Sequence, residues 1–136
     1  MAYIFGMPFS DAQLAHLGLR LVLGINFLGH GLIRMPNLGG FVEKTSAGFA
    51  TTPLPMALVT PFLWILPFVE LAIGLAILAG VKLRATLLGG FAVIAALTFG
   101  MCMQQQWETV GLQLVYGLGF FVLLARASDA RWQLAA

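Results

Sequence analysis

The sequence is poor in charged residues. Only 9% of its 136 residues are Asp, Glu, Lys or Arg, whereas 60% are hydrophobic, and the mean hydropathy is +0.96. A soluble domain of this size carries about 25% charged residues because it needs a polar surface. The seven basic residues are scattered and form no basic stripe, which argues against nucleic-acid binding. The composition therefore predicts a protein whose main surroundings are lipid.

The sequence also lacks several common motifs. Cys102 is its single cysteine, which excludes an internal disulfide framework and a CxxC site. Residues 1–13 have neither a basic n-region nor a small-residue cleavage motif, so we expect no signal peptide and a retained first helix. The soft sulfur ligands of Met101, Cys102 and Met103 raise the question of copper, but consecutive helical residues point about 100° apart and do not converge on one ion. Apolar packing, with no metal site, is the prediction there.

Long apolar runs dominate what is present. The run from Pro55 to Val81 contains one acid, Glu70, and is long enough to cross a hydrocarbon core of about 30 Å. Three similar runs occur elsewhere, and no linker or low-complexity tract divides the chain. The sequence thus predicts one all-α domain, residues 1–136, that is an antiparallel four-helix transmembrane bundle. The predicted helices cover about 12–34, 56–80, 84–103 and 109–125.

Local signals refine these limits. Ser10 and Gln13 fit a capping box at the start of the first helix. The connection that follows this helix contains Phe41–Phe49, for which a short interfacial helix and an irregular loop are both open. Pro61 and Pro67 are expected to kink the second helix, because each removes a backbone donor and clashes with the preceding turn.

The basic residues predict the orientation. Four spans place both termini on one side, and that side carries more basic residues than the other. The terminal side has Lys82, Arg84, Arg126 and Arg131, and the opposite side has Arg34 and Lys44. The positive-inside tendency then places both termini in the cytoplasm. Trp107 and Trp132, near opposite faces, fit interfacial anchors.

Two charges are expected inside the membrane, where an unpaired charge is costly. At a rise of about 1.5 Å per residue, Arg20 lies about 12 Å from an inner helix end at Ala12, and Glu70 lies about 15 Å from one at Gly80. These matching depths predict a buried Arg20–Glu70 ion pair. Two roles are open for it, a purely structural one and a proton-linked carboxylate beneath a ligand site.

The first helix carries its polar residues on one stripe. At about 100° per residue, five polar side chains fall within an arc of about 120°, and lipid does not satisfy such groups. The stripe is therefore expected to face the interior of the bundle. Its members are His16, Arg20, Asn26, His30 and Arg34.

The outer part of this stripe predicts a ligand site. Asn26, His30 and Arg34 rise toward the outer surface, where Gln113 and Tyr116 of the fourth helix are plausible neighbours. Imidazole with adjacent donors suits hydrogen bonding to a quinone carbonyl, and it exchanges protons near neutral pH. The alternative is that His30 simply hydrogen-bonds a neighbouring helix.

Three segments together resemble the DoxX family of membrane proteins: LRLVLGINFLGHGLIRM at 19–35, GGFVEKTSAGFATTPLP at 39–55 and PFVELAIGLAILAGVKLRAT at 67–86. The likeness covers about residues 17–125. It implies a four-helix protein of the bacterial inner membrane, in a family associated with a thiosulfate:quinone oxidoreductase or with redox and detoxification partners. It also implies that Arg20, His30, Arg34 and Glu70 match recurrent polar positions.

These features favour a small membrane subunit of a respiratory or redox complex. Such a subunit anchors a membrane or periplasmic partner, or forms a homo-oligomer, and quinone is the one cofactor considered. Whether it is catalytic is open. A second hypothesis is a purely structural docking subunit, and a third is a small transporter or metal-handling protein. The third needs a continuous polar path, which the apolar stretch between Arg20 and Asn26 argues against.

Overall fold

Five helices and a small hairpin make up the computed structural model of the protein, which describes residues 2–4 and 6–134. The elements are β1 (Ala2–Ile4), β2 (Met7–Phe9), α1 (Asp11–Arg34), α2 (Leu38–Ala47), α3 (Met56–Ala79), α4 (Leu83–Met103) and α5 (Trp107–Ala125), with 3-10 turns at Met35–Asn37 and Ala127–Asp129. Within the predicted domain 1–136, Met1, Phe5, Ala135 and Ala136 lie outside the described residues.

Four helical segments of the described chain are long and apolar enough to cross a membrane. They are α1 with its continuation into α2, then α3, α4 and α5. The predicted all-α four-helix transmembrane architecture is therefore confirmed, and the predicted limits of the four helices differ from the observed ones by at most two residues.

Capping side chains set the start of α1 and α2. The hydroxyl of Ser10 accepts from the backbone N–H of Gln13, and the side chain of Gln13 accepts from the backbone N–H of Ser10, which is the predicted capping box. Asn37 then accepts from the backbone N–H of Gly40 and begins α2. Since α2 extends to Ala47, the first connection contains a short helix and not an irregular loop.

Two prolines lie within α3, which continues without interruption through Pro61 and Pro67. The helix ends at Gly80, whose φ of +71° is a left-handed conformation that glycine adopts without steric cost. Lys82 then begins α4 after a very short connection, which makes α3 and α4 adjacent and antiparallel.

The tightest helix pair is α1 with α3. A Cβ atom added to Gly74 would lie 2.5 Å from the backbone nitrogen of Leu28, and one added to Gly31 would lie 2.7 Å from the carbonyl oxygen of Pro67. Small residues at these points allow the two backbones to approach closely, as is common in membrane bundles. These contacts also fix the relative register of α1 and α3.

Two apolar clusters fill the interior. One joins α1, α3, α4 and α5 and contains the edge-to-face pair Phe27–Phe120, with ring centroids 5.2 Å apart. The other lies between α2 and α3 and contains Val42, Phe49 and Leu63. Many large apolar side chains point outward instead, as expected for helices in lipid.

Both chain ends meet at one end of the bundle, here called the terminal end; the opposite end, with α2, is the distal end. Strands β1 and β2 pair antiparallel, with Tyr3 opposite Pro8. Phe9 is buried and packs edge-on against Trp132, 5.3 Å between centroids, and Arg131 lies over the same ring. The hairpin therefore packs on the C-terminal tail.

Candidate functional site

Glu70 has a different partner from the one predicted. Its side chain is 5% exposed and forms an ion pair with Arg34, from Nη1 to Oε2. The expected Arg20–Glu70 pair is wrong. The prediction that Glu70 is buried and has a cationic partner is correct, but the cation is at the distal end of α1.

The reason is the register of the two helices. Arg20 Nη1 lies 3.4 Å from where a Cβ atom on Gly80 would be, so Arg20 is level with the end of α3. Glu70 precedes Gly80 by ten residues, so it lies about 15 Å closer to the distal end. The prediction placed the start of α1 level with the end of α3. In the structure α1 instead starts at Asp11, about 13 Å past the level of Arg20 and of the end of α3.

Arg20 instead holds the C-terminal tail. Its guanidinium donates to the carbonyl oxygens of Leu78 at 3.3 Å, Arg131 at 2.9 Å and Trp132 at 3.0 Å. The residue is 2% exposed. Backbone carbonyls at the C-terminal end of a helix are favourable partners for a cation, so this charge is compensated without a carboxylate.

His16 is also part of the terminal end. It is buried, and its Nε2 donates to the carbonyl oxygen of Leu123 at 3.2 Å. The polar stripe of α1 is therefore divided: His16 and Arg20 connect to the chain end, and the three remaining members lie at the distal end.

A cavity of about 490 Å³ occupies the distal end, between α1, α2, α3, α4 and α5. All five predicted ligand residues line it, and so does Glu70. The predicted residues are Asn26, His30, Arg34, Gln113 and Tyr116. Most other lining side chains are apolar, among them Phe27, Phe41, Phe49, Leu63, Leu66 and Ile94. The structure thus brings the predicted set together; that it binds a ligand stays a prediction.

Arg34 links the interior of the bundle to the cavity. While Nη1 pairs with Glu70, Nη2 lies 3.3 Å from His30 Nδ1, and the guanidinium carbon lies 4.6 Å from the centroid of the Phe41 ring. Glu70, Arg34 and His30 therefore form a continuous chain. His30, at its end, is exposed.

On the α5 side of the cavity, the polar side chains have few hydrogen-bond partners. Asn26 donates to the hydroxyl of Tyr116 over 3.4 Å, a long hydrogen bond between α1 and α5. Gln113 lies one turn away, is 8% exposed, and its Oε1 has no hydrogen-bond partner within the described chain. A buried carbonyl without a partner is costly, so this atom is available to a donor brought by a ligand or by water.

Sequence reasoning missed the contribution of α2. Phe41 and Thr45 of α2 line the cavity, as does Thr109 at the start of α5. The only local signal was the aromatic spacing in Phe41–Phe49, which also fits a loop. The cation–π contact between Phe41 and Arg34 forms across the 3-10 turn at Met35–Asn37, after which α2 packs against α3.

Met101, one of the three sulfur side chains near this end, is part of the apolar packing. Met101 contacts the cluster formed by α2 and α3 and lines the cavity. Over residues 2–4 and 6–134, no three His, Cys, Asp or Glu side chains gather in a way that would hold a metal ion.

Comparisons with protein-family models, with curated proteins and with solved structures found no match for this chain. The resemblance to the DoxX family stays a prediction from sequence. The interpretation of the distal cavity accordingly depends on its own geometry and chemistry.

Proposed function

We propose that the protein is a small membrane subunit of a respiratory or redox complex and that its distal cavity binds a quinone-type ligand. One observation carries this proposal: five polar side chains from α1 and α5 line a single cavity whose remaining walls are mostly apolar. A volume of about 490 Å³ is within the usual range for small-molecule sites, which pair apolar walls with a few oriented polar groups.

The residues fit a quinone head group. Its ring matches the aromatic and aliphatic walls, and its carbonyl oxygens need donors. His30 and Tyr116 offer donors at the cavity surface, and the buried, unpartnered Oε1 of Gln113 suits the hydroxyl of a reduced ligand. When bound, a quinone supplies two-electron chemistry, with the electrons exchanged through the partner subunit. His30 then has the role of donor to a ligand oxygen.

The alternative of a purely structural subunit requires a polar stripe that is satisfied internally. His30, a member of that stripe, is exposed at the cavity, and Gln113 Oε1 of α5, which lines the same cavity, has no partner within the described chain. A transporter requires a polar path through the bundle, but the layer between Arg20 and Asn26 is closed by the apolar cluster around Leu23 and Phe27. Both facts favour a ligand site that is open at one end.

The location and partners follow from the same proposal. In this proposal both termini are in the cytoplasm of a bacterial cell, which is supported by the four basic residues near the terminal end. The cavity then lies toward the periplasmic leaflet of the inner membrane. A membrane or periplasmic protein, or a second copy of the chain, completes the complex. The resemblance of the sequence to the DoxX family agrees with each of these assignments.

Binding of a short-chain quinone to purified protein tests the proposal. Saturable binding is expected for the wild type, with a loss of about tenfold or more in affinity for His30→Ala, equivalent to about 1.4 kcal/mol. Leu118→Ala is the matched control, because Leu118 is exposed on α5 and does not line the cavity. No saturable binding, or equal binding by His30→Ala, would contradict it.

A further inference from the structure

The charge balance of the distal cavity has a consequence for the kind of ligand that it accepts. Of the described residues that line the cavity, Arg34 and Glu70 are the two with a formal charge, and they are paired with each other. The positive charge of Arg34 is therefore compensated from inside the bundle. Arg34 lines the cavity, and its side chain is 22% exposed.

The same contact fixes the hydrogen on His30. A guanidinium has donors and no acceptor, so the 3.3 Å contact of Arg34 Nη2 with His30 Nδ1 requires Nδ1 to accept. The imidazole is then neutral and carries its hydrogen on Nε2. This tautomer follows from the chemistry of the partner and not from an observed hydrogen atom.

Three contacts hold Arg34 in the position that imposes this tautomer. Glu70 binds Nη1, His30 occupies Nη2, and the ring of Phe41 covers the guanidinium. Glu70 is almost fully buried and has no second cation among the residues described. Losing its carboxylate would leave Arg34 uncompensated beside the cavity.

We propose that the Glu70–Arg34 ion pair selects the ligand class of the distal cavity: a neutral compound with an acceptor oxygen, bound by the Nε2–H of His30, and not an anion. Glu70 and Arg34 act as positioning residues, since they act through His30. This inference rests on the proposed quinone site and specifies which ligands it takes.

A pair of probes with the same ring tests this selectivity. 2-Methoxy-1,4-naphthoquinone is neutral, whereas 2-hydroxy-1,4-naphthoquinone is an anion at neutral pH. The wild type should bind the neutral probe more tightly, and Glu70→Gln should shift the ratio of the two affinities toward the anion by about tenfold or more. Glu70→Asp, which keeps the charge, should retain the wild-type preference.

Two further variants control for charge and folding. Glu108→Gln removes an exposed acid at the same end, outside the cavity lining, and should leave the ratio unchanged. The double variant Arg34→Gln/Glu70→Gln removes both charges and should also prefer the neutral probe, although binding through His30 weakens. Helix content and thermal unfolding identify any variant that does not fold.

A second readout needs no ligand. Nitrogen-15 NMR of histidine-labelled protein should show His30 with its hydrogen on Nε2, and Arg34→Gln should give a mixture of the two neutral tautomers. The chain has two histidines, so His16→Gln removes the other signal and assigns the remaining one to His30. The inference is overturned if wild-type His30 carries its hydrogen on Nδ1, or if Glu70→Gln leaves the ratio of the two affinities unchanged. Neither of these results contradicts the proposed quinone site. Failure of both probes to bind the wild type overturns the proposed function and this inference together.

Discussion

Gly74 of α3 faces Leu28 of α1 so closely that a Cβ atom on Gly74 would lie 2.5 Å from the backbone nitrogen of Leu28. This contact sets the level at which the two helices cross. It thereby places Arg34 beside Glu70 and leaves Arg20 at the end of α3.

Gly74→Ala should therefore destabilise the bundle. The added methyl group meets backbone atoms, which do not give way easily, and overpacking of this kind costs about 1–3 kcal/mol. The measurement is the apparent midpoint of thermal unfolding in detergent. Gly111→Ala is the control, because nothing lies within 4 Å of its added Cβ atom; equal midpoints for the two variants would show that the close approach does not limit stability.

Arg20→Met should release the C-terminal tail. The substitution removes three hydrogen bonds from a charged donor to the carbonyls of Leu78, Arg131 and Trp132, and bonds of this kind contribute about 1.5–3 kcal/mol each. Limited trypsin digestion checks this, since cleavage after Arg126 and Arg131 should become faster.

Arg84→Met provides the comparison for the tail experiment. Arg84 is exposed at the same end of the bundle, so its loss should leave the digestion rate at Arg126 unaltered. If Arg20→Met were digested no faster than Arg84→Met, the tail would be held by other contacts.

Gln113→Leu should make the protein more stable and a weaker binder. The substitution removes a buried oxygen that has no partner within the described chain, and leaving such a group unsatisfied costs about 1–3 kcal/mol. The same change removes a polar group that the proposed ligand uses. Thermal unfolding without ligand and quinone titration measure the two effects.

Gln106→Leu is the matched control for Gln113→Leu, because Gln106 is exposed before α5 and caps nothing with its side chain. Gln106→Leu should change neither the thermal stability of the protein nor its affinity for quinone. A Gln113→Leu variant that is less stable, or that binds quinone as well as the wild type, would indicate that the amide is satisfied by something other than a ligand.

Local signals in the sequence were sufficient for the four long helices, α1, α3, α4 and α5, but not for α2. The apolar runs, the capping box at Ser10 and the glycine at Gly80 each act over a few residues, so the predicted limits lie within two residues of the observed ones. The outer part of the polar stripe was also predictable, because Asn26, His30 and Arg34 share one face of a single helix.

The ion pair was not predictable in the same way. The partner of Glu70 depends on the relative level of α1 and α3, which the close contact at Gly74 and the packing of the C-terminal tail decide together. Phe41 contacts Arg34 across the 3-10 turn at Met35–Asn37, in a segment for which the sequence left helix and loop open. The partner of Glu70 thus depends on contacts between helices far apart in sequence, and the contact with Phe41 depends on a local turn.

The most direct test of the account is to purify the protein gently from its native membrane and to quantify bound lipids and quinones by mass spectrometry. A ligand site at the distal cavity predicts a quinone in about stoichiometric amount that is lost from His30→Ala and retained by Leu118→Ala. Recovery of a stoichiometric protein partner with no quinone, in a preparation that also fails to bind added quinone, would contradict the ligand site and favour a docking subunit.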